Sequence, residues 1–546
     1  MSTSVILAAA FVISFVALLV FIWSQRRGLF RRDSTGATVI FGSDEIGRVE
    51  EPAVAATTAR KMQSQVDQAT GNVATEINSD DLQMRAAADA SSAPVVFFMF
   101  CAAFVWLLTA TAAGLLASYK LHSPDFLSQY AWLTFGRVRT IHLNAVAYGW
   151  APMAGLGIAM FVLPRLFGRP LLGGRFAILG AALWNAALIS GLYSIALGIN
   201  DGLEWLEIPW QIDILFIAGG FLVGVPLVLT LARRKVEHLY VSVWYMACAL
   251  FWFPVMFVVA NLPGLHRGVE QATMNWWFGH NVLGLFYTPL ALAAVYYFLP
   301  KVIGRPVQSY NLSLVGFWGL AFFYGQVGGH HLIGGPVPDW LITLSIVQSV
   351  MMVLPVAAFT INQYQTLDGY LPVLRHSPTL RFIGLGGLMY TASSLQGSFE
   401  ALRSVNAVTH FTHYTVGHSH LGMYAFVTLV FFGAMYFIVP RITRREWPYP
   451  RLIAAHFWLV SIGVAIYVSA LCIGGWLQGK AMLDASRPFM DSVAITLPYL
   501  KIRTFGGALM GLGHVVFAVH FAFMIFELGP RRIGATLLGR IPAEAP

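Results

Sequence analysis

From residue 94 onward the chain alternates long apolar runs with short polar breaks, a new run beginning about every 30 to 45 residues. Each run reaches the ~20 residues that a helix needs to cross the hydrocarbon core of a bilayer. The pattern predicts twelve spans: near 94–118, 140–164, 174–199, 211–232, 239–261 and 275–300, then near 312–333, 340–362, 381–402, 412–440, 451–476 and 502–527. A separate apolar run at 4–23 ends on Arg26, Arg27, Arg31 and Arg32. Its uncharged start favours a retained anchor over a cleaved signal peptide. The division that follows is an N-terminal membrane anchor (1–32), a polar, solvent-exposed cytoplasmic linker (33–92), a membrane domain (93–530) and a cytoplasmic tail (531–546). The predicted fold class is all-α, a polytopic transmembrane helical bundle of twelve helices plus one extra N-terminal transmembrane helix.

Of the 546 residues 57% are hydrophobic and 11% charged, against roughly 25% charged in soluble domains. A net charge of +9 would suit nucleic acid, but its Lys and Arg gather in short connections between spans, so no nucleic-acid partner is expected. Alternate connections carry Arg165, Arg169 and Arg175, then Arg233, Arg234 and Lys235, then Lys301 and Arg305, then Arg441, Arg444, Arg445 and Arg451. By the positive-inside rule these face the cytoplasm, as does the tail with Arg531, Arg532 and Arg540. The expected location is a bacterial inner membrane. The opposite loops include the acidic stretch from Asp201 to Glu207, although Arg137, Arg139 and Arg267 also fall on that outer side. Cys101, Cys248 and Cys472 stand singly in apolar spans, so neither disulfides nor a zinc site are expected. No Cys-x-x-Cys-His occurs, so attachment of a c-type haem to this chain is not expected.

Six histidines fall in or at the edge of these spans at one depth: His142, His280, His330, His331, His418 and His420. A buried imidazole without a partner is costly, and ionisable residues at membrane depth point to function. All six lie toward the outer third of the bilayer, on four predicted helices. Their number has a chemical reading. A six-coordinate haem takes two imidazoles, a five-coordinate haem one and a copper three, and neutral imidazole suits both iron and copper. His418 and His420 point ~200° apart on a helix, so one helix can serve a haem on each side. His330 and His331 diverge by ~100° and reach one metal if the helix is slightly distorted, which Gly328-Gly329 permits. His410, His413, His456, His514 and His520 read as packed or hydrogen-bonded residues.

Four motifs then carry a resemblance. Phe135-Gly-Arg-Val-Arg-Thr-Ile-His142-Leu-Asn-Ala-Val, Asn275-Trp-Trp-Phe-Gly-His280-Asn, Phe323-Tyr324-Gly-Gln-Val-Gly-Gly-His330-His331 and His413-Tyr-Thr-Val-Gly-His418-Ser-His420 resemble ligand-bearing segments of haem–copper oxidase catalytic subunits. The match is specifically to the cbb3-type cytochrome c oxidases, over about residues 94–530. It implies a 12-helix haem–copper oxidase core in which His142 and His420 bind low-spin haem b and His418 binds high-spin haem b3. His280, His330 and His331 would bind copper. Most oxidases outside this family carry a tyrosine four residues after the first copper ligand, where this chain has Gly284. The cbb3-type places it six residues before the histidine pair, where Tyr324 stands. The resemblance makes Tyr324 cross-linked to His280 and a donor of an electron and a proton for O–O cleavage. Tyr310 and Ser313 match the start of the family's single proton path; the 11 residues from Ser313 to Tyr324 span ~16 Å on a helix. Arg137 and Arg139 are expected at haem propionates, and Glu204 and Glu207 near a calcium ion.

The implied activity is reduction of O2 to water with electrons from cytochrome c, delivered through separate c-type cytochrome subunits and coupled to proton translocation in the respiratory chain. One position departs from the family. A glutamate usually accompanies the proximal histidine of haem b3, and Gln396 stands there, with Glu400 one helical turn on. The stretches Ile22-Trp-Ser-Gln-Arg-Arg-Gly-Leu-Phe and Val39-Ile-Phe-Gly-Ser-Asp loosely resemble the small single-span maturation protein that accompanies such oxidases. The alternative is a nitric oxide reductase of the same superfamily, with non-haem iron in place of copper. Its acidic iron ligand follows the first metal histidine by four residues, and Gly284 cannot serve. A 12-span transporter is the reading of hydropathy alone, and it leaves the histidines without a use.

Overall fold

The computed structural model describes Leu19 and residues 35–42, 45–70 and 79–531. Among them every named element is helical, and extended pairing is limited to the isolated bridges Leu203–Leu206 and Arg445–Arg531. Among the described residues ten helices are long and apolar enough to cross a membrane, from Gln83–Lys120 to Phe489–Ile525. They fall at ten of the twelve expected places. The other two hold Tyr310–Phe323, only 14 residues long, and Pro378–Glu400, a 23-residue helix whose last eight residues include Ser393, Ser394, Gln396, Ser398 and Glu400. The chain is an all-α, polytopic membrane protein. Apart from Leu19, the anchor expected at 4–23 lies outside the described residues, as does the tail beyond Arg531.

Three spans are enclosed by the others. Phe135–Leu166, Val269–Ile303 and His413–Thr443 bury 94%, 89% and 89% of their most apolar windows, whereas the other seven bury 33% to 44%. An outer span turns one face to lipid; a helix that is apolar all round belongs inside. His142, His280, His418 and His420 all ride on the enclosed three. Within three residues after His142, His280 and His420, the helix hydrogen bonds widen to the i→i+5 pattern, over Ala145–Trp150, Leu283–Tyr287 and Leu421–Thr428. Such wide turns are rare and recur at functional positions. Outer helices meet through bare glycines. A Cβ on Gly180 would stand 2.6 Å from the Gly219 carbonyl oxygen, and one on Gly463 would stand 2.8 Å from that of Gly506. Small residues let backbones approach where lipid supplies no hydrophobic drive between helices.

The stretch 33–92 differs from the exposed linker that its composition suggested. Ala56–Thr70 is a helix that buries Met62 and Val66, and the first long helix starts at Ser79 rather than at 93 or 94. Glu45 pairs with Lys301 at 2.5 Å and also with Arg85, while Glu50 pairs with Arg441. The buried Glu51 carboxylate accepts from the hydroxyls of Ser377 and Thr379. Gly47 and Glu50 add backbone bonds to the carbonyls of Gly304 (2.7 Å) and Val302 (3.2 Å). Asp89 makes a two-bond pair with Arg165, at 2.5 and 2.7 Å. Scattered acidic residues thus neutralise the basic helix ends they meet. Composition averages over them and hides the match.

Candidate functional site

His280, His330 and His331 converge. One ligand nitrogen from each lies within 4.8 Å of the others, and no other group of three or more His, Cys, Asp or Glu does this among the described residues. His280 comes from Val269–Val282, but the other two do not come from the single distorted helix that the spacing suggested. That helix stops at Phe323, and the pair sits in a separate tight turn, Gly329–Leu332. Gly328 makes the break possible: its φ is +123°, and a Cβ there would stand 2.7 Å from the Trp276 carbonyl oxygen. Ser345 pins the turn. Its Oγ accepts from the N–H groups of Gly328 and His330, at 3.1 Å each, and meets His330 Nδ1 at 3.0 Å. The His331 ring stacks on Trp276, with centroids 4.6 Å apart. His280 Nδ1 is buried with no hydrogen-bond partner, a cost that a bound metal would relieve.

Tyr324 completes this cluster. Its ring lies 5.1 Å from that of His280, centroid to centroid. A Cβ at Gly284 would fall on the Tyr324 ring. The bare backbone at 284 is therefore a socket for a tyrosine that arrives from another part of the chain.

His142, His418 and His420 line the same cavity, of about 480 Å³, that His280, His331 and Tyr324 border. Each has its Nδ1 tied to an oxygen. His142 meets the Ala110 carbonyl at 2.8 Å, His420 the Val416 carbonyl at 2.8 Å, and His418 the Gln396 Oε1 at 3.3 Å. A carbonyl oxygen only accepts, so Nδ1 carries the proton and Nε2 keeps the lone pair that binds a metal. The His142 and His420 rings face one another nearly parallel, at 7° and 6.3 Å between centroids. A Cβ at Gly114 would stand 2.6 Å from the His142 ring, so that glycine makes room for the imidazole. The His420 Nε2 meets the Tyr467 hydroxyl at 3.3 Å, a contact that a bound iron would replace. Three imidazoles that turn Nε2 to a cavity wall fit haem iron, and three converging imidazoles fit a copper ion.

Arg503 is a functional candidate that the spacing argument passed over. It is 8% exposed, borders the cavity, and donates from Nε to the Tyr467 hydroxyl at 2.8 Å. A guanidinium on this wall suits a carboxylate such as a haem propionate. The expected span began at 502 and made Arg503 an end charge, but the helix begins at Phe489. Arg139 also borders the cavity, yet its fork is engaged by Glu204, and Arg137 donates to the Ala196 carbonyl at 3.0 Å. Glu204 is thereby committed to Arg139. Glu207 accepts from Asn144 at 3.0 Å, while Glu207 Oε1 and Asn144 Oδ1 are buried without partners, oxygens that a hard cation could use. Burial pushes the Glu207 carboxyl up to about 7, against the opposing pull of the Asn144 hydrogen bond.

Tyr310 and Ser313 open the Tyr310–Phe323 helix. The Tyr310 hydroxyl meets His238 Nε2 at 2.9 Å, and Ser313 Oγ donates to the Tyr310 carbonyl at 2.5 Å. One turn on, the Tyr245 hydroxyl faces bare backbone at Gly316, buried and unpartnered, 3.2 Å from where a Cβ would stand. Gly316 lies between Ser313 and Tyr324 along the chain, so this hydroxyl falls within the gap that separates them. His514 is held by Thr111 and Tyr424 at 2.7 Å each, and His456 by Tyr436 at 2.9 Å, as packed residues should be. His410 stacks on Phe411, whereas His413, like His514, borders the cavity.

Residues 94–509 match the family described as cytochrome C and quinol oxidase polypeptide I. The chain belongs to this family. It is a catalytic subunit I of the haem–copper oxidase superfamily. This polypeptide I is 33% identical over 430 residues to a cbb3-type cytochrome c oxidase subunit of Stutzerimonas stutzeri, covering 76% of this chain and 91% of that one. It is 32% identical over 463 residues to cytochrome c oxidase subunit 1 of Rhodobacter capsulatus, covering 80% and 86%. It is also 24% identical over 456 residues to a nitric oxide reductase subunit of Stutzerimonas stutzeri, covering 78% and 93%. In fold it matches a haem–copper terminal oxidase dimer solved by cryo-electron microscopy, with a TM-score of 0.66 at 16% identity over 83% of this chain and 88% of that one.

Proposed function

We propose that the chain is the catalytic subunit of a cbb3-type terminal oxidase that reduces O2 to water with electrons from cytochrome c and moves protons as it does so. The observation that carries this reading is the Tyr324 ring against His280 in the Gly284 socket, beside three converging imidazoles. His142 and His420 would hold low-spin haem b, His418 high-spin haem b3, and His280, His330 and His331 copper. When bound, these groups supply electron transfer and oxygen activation.

The chain's own residues supply the rest. Ala110, Val416 and Gln396 hold the Nδ1 protons of three imidazoles and so orient the ring faces. Tyr324 holds a proton at its hydroxyl on the cavity wall, and Tyr245, Ser313 and Tyr310 mark the way by which that proton is replaced. Arg503 on the cavity wall would pair with a haem carboxylate, and Arg139 would do so only by sharing its guanidinium with Glu204. The enclosing helices keep bulk water from the centre, which strengthens each polar interaction there. The basic helix ends and the C-terminus face the cytoplasm of a bacterial inner membrane, residues 1–32 add an anchor, and separate c-type cytochrome subunits deliver electrons. Glu207 with Asn144 is the place for calcium.

The similarity to a nitric oxide reductase subunit favours one other reading. An iron in place of copper would want an acidic ligand at 284, but the space there is filled by the Tyr324 ring and no carboxylate joins the three histidines among the described residues. Turnover of the intact complex with reduced cytochrome c separates the two. Rapid O2 uptake supports the oxidase; NO consumption without comparable O2 uptake moves the function to the reductase.

A further inference from the structure

The partner of His418 is an amide, and an amide has two unlike ends. A carboxylate can accept from an imidazole N–H through either oxygen. Gln396 can accept only through Oε1; turned over, it would present Nε2 as a donor to His418 Nδ1. With His418 Nε2 given to iron the imidazole proton stays on Nδ1, so that arrangement would set N–H against N–H and lose the bond. Something must therefore fix which way the amide points.

Cys472 is placed to do this. Gln396 Nε2 donates to Cys472 Sγ at 3.3 Å, while Gln396 Oε1 accepts from His418 Nδ1 at 3.3 Å. The three residues come from three helices: Pro378–Glu400, His413–His420 and Pro450–Met482. The contact is close by construction, since a Cβ at Gly417 would stand 3.0 Å from the Cys472 sulfur and one at Gly397 would stand 2.9 Å from the His418 ring. The carboxylate one turn away is occupied differently: Glu400 accepts from Thr415 Oγ1 at 2.7 Å rather than from His418.

We propose that Cys472 is a positioning residue that, by taking the Gln396 N–H, holds the amide oxygen toward His418 and so sets the donor strength of that imidazole. This rests on the reading of His418 as the haem b3 ligand. A neutral amide draws less on the imidazole proton than a carboxylate does, so the chain holds a less electron-donating ligand than a glutamate at 396 would give.

The test is the iron–histidine stretching band of the ferrous haem in the intact complex, read by resonance Raman, together with the haem b3 midpoint potential. Gln396→Glu should raise the band frequency and lower the potential. Cys472→Ala should split or weaken the band in the parent protein, Cys472→Ser should restore a single band, and Cys472→Ala should change nothing further once residue 396 is Glu. An unchanged single band in Cys472→Ala overturns the proposal, and so does an equal effect in both backgrounds, because simple packing would act in each alike. If Gln396→Glu also leaves band and potential in place, the assignment of His418 beneath the proposal fails instead.

Discussion

Tyr324 reaches His280 only because residue 284 is glycine: the two rings stand 5.1 Å apart, in space that a single Cβ at 284 would claim. The relationship turns an apparent absence on the Val269–Ile303 span into a requirement. Gly284→Ala should displace the tyrosine and lower oxygen uptake. Tyr324→Phe should do the same without displacement. General acid–base groups typically contribute about 100-fold or more, so uptake by the Phe variant should fall at least that far with metal content intact. Retention of a third or more of the parent rate in Tyr324→Phe would remove the tyrosine from the chemistry.

Ser345 holds the turn that carries two of the three converging imidazoles. Ser345→Ala strips the acceptor from two backbone N–H groups and the partner from His330 Nδ1. Loss of such an outer partner typically weakens metal binding by about 10- to 100-fold. Copper retained after dialysis against a graded chelator should fall accordingly. A variant that keeps copper as tightly as the parent shows that backbone geometry alone fixes the turn.

Asp89 lies in the stretch whose composition suggested a linker, yet it is the bidentate partner of buried Arg165. Asp89→Asn leaves that guanidinium without its counter-charge. Breaking a buried pair from one side costs about 3–5 kcal/mol, so the thermal midpoint of the detergent-solubilised protein should drop clearly. An unchanged midpoint would mean that the Asp89–Arg165 pair contributes nothing to the stability of the membrane domain.

With calcium removed by a chelator, Glu207 gives a pH signature outside the membrane helices. Its carboxyl is raised from 4.5 to about 7 by burial. A raised value means that the folded chain holds the proton more tightly than the unfolded one. The associated stability is complete below about 4.5 and is lost as pH rises through about 7. Glu207→Gln should flatten the dependence of thermal midpoint on pH across that window. If the slope survives in the variant, another group causes it.

Much of the fold and part of the site were legible in the sequence. Apolar runs located the long helices because lipid forces every backbone polar group into intrahelical bonds. The six histidines stood out because imidazoles are rarely left at membrane depth without a task. What could not be read was local and non-local geometry. The break at Gly328 depends on how Trp276 packs against it, so the chain before His330 looked like continuous helix. The pairs Glu45–Lys301 and Glu50–Arg441 join residues far apart in sequence, and no periodicity announces them. Arg503 was hidden by a helix start placed too late. Gln396 was legible as an odd residue, but Cys472, whose sulfur accepts from its amide, was one of three unremarkable cysteines.

The most direct test of the central claim is the copper and iron content per chain of the purified complex, corrected for the c-type haems by their own absorbance. The account predicts about two irons and one copper for this chain, as its six histidines would hold. About three irons and no copper would contradict it, and would leave Tyr324 in the Gly284 socket without the partner that gives it a role.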